Sequence, residues 1–69
     1  MNFKVRHYVY TNPAAFAELR MARLCWSASR AAKTFEANPA LVHLYRSWMS
    51  HHAYMAIRHA KMAQADKVA

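Results

Sequence analysis

The sequence contains no glycine, two prolines and one cysteine. Without glycine, turns must be built from residues such as asparagine, serine and proline, and a glycine-rich phosphate-binding loop is excluded. A single cysteine, Cys25, excludes a disulfide within the chain and the cysteine-rich structural zinc sites. A reducing compartment is the simpler setting, so we expect a cytoplasmic protein.

Acidic residues are also scarce, since Glu18, Glu36 and Asp66 are the only three. They lie too far apart along the chain to suggest the paired carboxylates of acid–base catalysis. Cys25 has no histidine or acid at a spacing typical of a nucleophile pair, which predicts a buried structural thiol. We therefore expect no enzymatic activity, no bound metal and no cofactor.

The chain is short and strongly basic. Its 69 residues carry a formal net charge of +7 with histidines neutral, and we expect residues 1–69 to form one domain. So small a domain buries a marginal core, and oligomerisation is the remedy that this composition leaves open. The charge favours an anionic partner, which could be nucleic acid, an acidic protein surface or, as a distant third, a membrane surface. The basic residues are spread around the molecule, so we expect no membrane partner. We expect no secretory signal and no membrane-spanning segment.

Both prolines occur in the same tripeptide, Asn-Pro-Ala, which starts at Asn12 and again at Asn38. Asparagine is a preferred N-cap, and proline is well tolerated at the first helical position. The two tripeptides therefore predict helices over about 13–36 and 39–66. So short a connection between two long helices predicts an antiparallel helical hairpin.

Residues 3–10 alternate with period two, placing Phe3, Val5 and Val9 on one face. This pattern, rich in β-branched and aromatic residues, predicts a short N-terminal β-strand. No second strand is predicted in the chain to satisfy its backbone. It would pair with its copy in a dimer, pair with a partner's sheet edge, or form a mobile arm.

Each predicted helix carries two apolar seams. The first helix has a wide seam of Ala17, Met21, Leu24, Ala28, Ala31 and Phe35, and a second of Ala15, Leu19, Ala22 and Trp26. The second has a wide seam of Leu41, Tyr45, Trp48, His52, Met55, His59 and Met62, and an alanine-rich one of Val42, Met49, Ala53, Ala56, Ala60 and Ala63. One hairpin partner cannot cover both seams, so we expect a mainly α homodimer, a four-helix bundle of two hairpins.

The best candidate for a partner-binding surface is Leu19, Arg23, Trp26 and Arg30 on the first helix. Tryptophan beside arginine is typical of the residues that carry most of the binding energy in protein interfaces. This composition favours a protein-interaction module that docks on another protein and changes what it does.

In length, basicity and expected architecture the chain resembles the phage-encoded anti-quorum-sensing anti-activators of Pseudomonas phages. That resemblance implies a dimer acting in the bacterial cytoplasm on a LuxR-type transcription activator. It implies that the activator's DNA binding is blocked, with the pilus assembly ATPase as a further target. It assigns no role to any particular residue.

The alternative function is direct DNA binding through the N-terminal segment. A strand followed by two helices, with Lys4, Arg6 and Tyr8 on one strand face, resembles the ribbon-helix-helix repressors. In that family, paired strands enter the major groove. The predicted first helix is longer than that family's, and Ala37-Asn38-Pro39 replaces its small-residue turn. The basic residues also fit a solvated face that only keeps the bundle soluble.

Overall fold

The computed structural model describes residues 3–68, apart from the side chains of Phe3, Glu36 and Val68; residues 1, 2 and 69 of the predicted domain lie outside it. Its elements are helix α1 (Phe3–Thr11), helix α2 (Pro13–Ala31), a π-helical turn (Ala32–Glu36) and helix α3 (Pro39–Val68). The protein is therefore mainly α, as predicted. It measures 48 × 18 × 15 Å, so the long helices set its length.

Helices α2 and α3 begin at the two prolines, the positions that the repeated tripeptide indicates. The Asn12 side-chain oxygen accepts a hydrogen bond from the Ala15 backbone N–H at 3.0 Å. Asn38 repeats the arrangement with the N–H of Leu41 at 3.2 Å. Each asparagine thus satisfies a backbone donor that has no partner within the helix, and proline gives up nothing at the first position.

A seam of small residues joins α2 to α3. The buried positions along it are Ala15, Ala22, Cys25, Ser29 and Ala32 on the α2 side, and Ala56 and Ala60 on α3. Small side chains let two helix backbones approach closely, and their repeat at spacings of three and four gives the geometry of a coiled-coil seam. The one buried polar side chain among them is satisfied, because the Ser29 hydroxyl donates to the Trp26 carbonyl oxygen at 2.7 Å.

The predicted N-terminal strand is wrong, because Phe3–Thr11 forms helix α1. The physical reason lies in Val5 and Val9, which are four residues apart and share a face in a helix as well as in a strand. Both valines are buried in a cluster with Ala15 and Ala60, here named the α1 cluster. Packing against the two long helices therefore outweighs the β-propensity of the segment.

Helix α1 covers one side of the hairpin. Leu19 of α2 and Ile57 of α3 both pack against the cluster that contains Val5 and Val9. A single residue with extended dihedral angles, Asn12, separates α1 from α2 and turns the chain back onto the hairpin. The helix thereby satisfies its own backbone, and the backbone-pairing partner that a strand would need is not required.

The turn between α2 and α3 contains a non-glycine residue in the left-handed region. Ala37 has φ 49° and ψ 41° at the end of the π turn. Glycine is favoured at this position in most helix ends, because a Cβ raises the energy of the left-handed conformation. A sequence without glycine therefore places alanine here at a cost in stability.

No helix within residues 3–68 combines the length and the apolar character needed to cross a bilayer.

We predict that Ala37→Gly stabilises the fold by about 1 kcal/mol, because it removes the Cβ from a left-handed residue. Urea unfolding followed by circular dichroism measures the change. Ala17→Gly is the control, since Ala17 is exposed inside α2 and glycine should lower stability there by about 1 kcal/mol. Equal effects of the two changes would contradict the left-handed turn.

Helix α1 provides a second test of the fold. Val9→Ala should lower the free energy of unfolding by about 2 kcal/mol, because it removes two buried methyl groups and leaves a cavity. Arg6→Ala is the control on the same helix, because Arg6 is exposed and its change should stay within about 0.5 kcal/mol. If the N-terminal segment were instead a β-strand that does not contact the hairpin, both substitutions would change the free energy of unfolding equally little.

Candidate protein-interaction surfaces

Large apolar side chains remain exposed on both long helices. The exposed set among the described residues is Tyr10, Met21, Leu24, Trp26, Phe35, Leu44, Trp48, Tyr54 and Met62. The chain exposes 5222 Å², whereas a compact monomer of its 8.0 kDa mass would expose about 4,450 Å². Single exposed apolar residues are ordinary, but several that share one face mark a candidate interaction site.

The first surface, here named the uncharged face, lies on the side of the hairpin that α1 leaves open. It consists of Ala17, Met21, Leu24, Ala28 and Ala31 of α2 with Leu41, Leu44, Tyr45, Trp48, His52, Met55, His59 and Met62 of α3. Around an ideal helix, Leu24 lies about 140° from Leu19, and Trp48 lies about 180° from Ile57. Because Leu19 and Ile57 both contact the α1 cluster, the uncharged face lies on the opposite side.

These residues are mostly the wide seams read from the sequence. The structure closes the hairpin with the small residues and leaves the wide seams half-buried or exposed. Phe35 follows on the π turn and is the most exposed large apolar side chain among the described residues, at 84%. Each helix therefore carries the surplus of apolar width that the sequence predicts.

The second surface, here named the Trp26 surface, consists of Arg23, Trp26 and Arg30 on α2. The three residues and Leu19 fall within about 60° of one another around an ideal helix, so their predicted alignment on one face agrees with the structure. All three are exposed, and they lie on the C-terminal side of Ala15 and Leu19, the residues of α2 that α1 covers. Leu19 is the exception, because it packs against the α1 cluster and has little surface left for a partner.

Arg23 is held near α1 by an aromatic neighbour. Its guanidinium carbon lies 6.0 Å from the centre of the Tyr10 ring, which is the outer range of a cation–π contact. The Tyr10 ring in turn lies 6.5 Å from that of Phe16. These contacts hold the Arg23 side chain against α1, and the residue remains exposed.

Basic groups continue past the Trp26 surface to the hairpin turn. An open cleft of about 450 Å³ there is lined by Lys33, Val42, His43 and Arg46 and by the turn itself. Among the side chains that the structure describes, no lysine or arginine forms an ion pair with an acid. This end of the molecule therefore offers unpaired positive charge beside an exposed tryptophan.

The residues predicted for DNA binding are not brought onto one face. On helix α1, Lys4 and Arg6 lie about 160° apart around the axis, whereas a strand would place them together. Tyr8 packs partly against the α1 cluster, with its ring 5.3 Å from that of His7. The basic ribbon of the alternative function is therefore absent from residues 3–68.

One polar link between the long helices was missed by sequence reasoning. His52 Nδ1 and Glu18 Oε2 lie 2.5 Å apart, and each side chain keeps about a quarter of its surface exposed. The two residues are far apart in the chain and approach only in the folded hairpin. The one signal that could have identified them is a lone acid and a histidine on facing seams.

Within residues 3–68, no group of three histidine, cysteine, aspartate or glutamate side chains lies close enough to hold a metal ion. Cys25 is a free thiol buried in the seam between α2 and α3, as predicted.

A double-mutant cycle on Glu18→Ala and His52→Ala should give a coupling of about 1 kcal/mol in the free energy of unfolding, typical of a partly exposed hydrogen bond with a charged group. Glu18→Ala combined with His43→Ala is the control cycle, because His43 is an exposed histidine lining the distant turn cleft. A His52 coupling no larger than the control's would refute the observed pairing. Urea unfolding measures all variants.

Comparison with known proteins gives no match to a family model, to a curated protein or to a solved structure. The resemblance to the phage anti-activators accordingly stays a prediction, and the function is inferred from the surfaces themselves.

Proposed function

We propose that this protein is a small homodimeric interaction module that binds a regulatory protein and inhibits it. The observation that carries the proposal is the Trp26 surface, where an exposed tryptophan lies between two exposed arginines. Tryptophan and arginine are the residue types most enriched at the energetic centres of protein interfaces. The narrower proposal, from the resemblance described above, is that the partner is a bacterial transcription activator of the LuxR type.

The charge of the module indicates the chemistry of its partner. Arg23 and Arg30 flank Trp26, and Lys33 and Arg46 extend the positive charge to the turn cleft. A partner surface that presents carboxylates around an apolar pocket would pair with the arginines and receive the indole ring. Charge of this density also accelerates association with an acidic protein.

Inhibition follows from occupancy in this proposal. The module would cover a surface of the regulatory protein that the regulator needs for its own contacts, and no chemical step is required. The proposed homodimer would present two Trp26 surfaces, which can engage a dimeric partner twice and raise the overall affinity.

We predict that Trp26→Ala weakens binding of the captured partner at least about 30-fold, because it removes a hot-spot anchor. The tagged protein is first used to capture partners from nuclease-treated lysate of its native host. The affinity of the recovered partner is then measured by calorimetry against the wild type and the variant. Arg23→Ala should also weaken binding, through loss of a charged contact.

Two control variants separate this proposal from DNA binding. Tyr54→Ala removes an exposed aromatic side chain elsewhere on α3 and should leave the affinity within about twofold. Lys4→Ala combined with Arg6→Ala should also be tolerated. Capture that disappears on nuclease treatment, together with a steep loss of binding in salt and in the Lys4/Arg6 double variant, would overturn the proposal in favour of DNA binding.

A further inference from the structure

We propose that the uncharged face is the surface on which a second copy of this chain docks, through a two-fold axis that joins two hairpins. The inference rests on the homodimer of the proposed function and deepens it by naming the face. It also separates two roles, because the Trp26 surface stays free in the resulting four-helix arrangement.

The position of α1 determines which side of the hairpin is open to a second copy. The hairpin has two broad sides, and α1 covers the one on which Leu19 and Ile57 lie. A second hairpin on that side would collide with α1. The opposite side has no neighbour among the described residues, and it carries Met21, Leu24 and Trp48 in solvent.

The distribution of charge on the uncharged face favours a second copy of the chain as its occupant. None of the ten lysine and arginine residues belongs to the uncharged face, although the chain carries a net charge of +7. Of the acids, Glu18 pairs with His52 at the floor of the face. Asp66 lies on the same line of α3 as Trp48, at the end of the face. Two identical copies can meet there without placing like charges opposite each other at the centre of the interface. An acidic partner would find no cation on this face to compensate its carboxylates. The face is therefore complementary to itself.

The size of the face is close to what a stable dimer needs. From Leu41 to Met62 it runs about 32 Å along α3 in a molecule 15–18 Å across, which gives a flat footprint of about 480–570 Å². Stable interfaces bury about 600–1,000 Å² on each partner, and the exposed side chains of Leu24 and Trp48 add to the flat footprint. A two-fold contact uses the same patch on both copies, so one face is sufficient.

The link between Glu18 and His52 lies at the floor of this face, where α2 meets α3. Docking a second hairpin would withdraw the pair from water, where its hydrogen bond already joins His52 Nδ1 to Glu18 Oε2. A hydrogen-bonded polar pair in an otherwise apolar contact favours one register over others, as single polar residues do in coiled coils.

The test is sedimentation velocity of the full chain from about 5 to 200 µM. The wild type should sediment as a dimer, and Leu24→Asp should weaken self-association at least about 100-fold, because two carboxylates would be buried in the contact. Tyr54→Asp is the matched control: Tyr54 is 62% exposed and Leu24 is 63% exposed, but Tyr54 lies off the face. Tyr54→Asp should remain dimeric.

A second pair of variants, at two tryptophans of nearly equal exposure, tests the same face independently if one of the first variants misfolds. Trp48 lies on the uncharged face at 47% exposure, and Trp26 lies on the other side at 46%. Trp48→Glu should abolish the dimer, whereas Trp26→Glu should keep it. Circular dichroism checks that each variant stays helical. If Trp48→Glu unfolds, Met21→Gln provides a milder change on the same face, with a weaker dimer expected.

Distinct results would overturn this inference while leaving the binding of a partner through the Trp26 surface intact. One is a helical wild type that remains monomeric at 200 µM, which would also remove the homodimer from the proposed function. Another is a dimer that survives Leu24→Asp and Trp48→Glu but is lost in Tyr54→Asp or Trp26→Glu. Failure of the proposed function would instead appear as unchanged partner affinity in Trp26→Ala while the dimer remains intact.

Discussion

The close approach of α2 and α3 through small residues is the constraint on which the rest of the structure depends. Ala22, Ser29, Ala56 and their neighbours bring the two helices together but bury little apolar surface at the seam. A chain of this size needs most of its apolar burial to offset the entropy of folding. The larger side chains therefore remain for other contacts: α1 covers some on one side, and the uncharged face holds the others on the opposite side.

Part of this fold could be predicted from the sequence, and the limits have a physical cause. The starts of α2 and α3 are local signals, because an asparagine cap and a proline at the first helical position act within one turn. Helix α1 could not be predicted, because Val5 and Val9 satisfy both a two-residue and a helical period. Only their packing against Ala15 and Ala60, distant in sequence, decides between strand and helix.

The candidate surfaces, too, could be predicted only in part from the sequence. The alignment of Arg23, Trp26 and Arg30 follows from helical spacing, so it could be predicted once α2 was assigned. That Leu19 is covered by α1 could not be predicted, since it depends on where α1 docks. The sequence also shows two apolar seams on each helix without stating which one closes the hairpin. The preference for the alanine-rich seam reflects how closely two helices can approach.

The account's central claim is that one hairpin lacks enough neighbours and that a second copy supplies them. The most direct measurement is the midpoint of thermal unfolding of the wild type as its concentration rises from about 2 to 200 µM. Coupled folding and association predicts a rise of roughly 5 °C for each tenfold increase, because mass action favours the dimer. A midpoint that stays constant over this range, with full helix content at the lowest concentration, would contradict the claim.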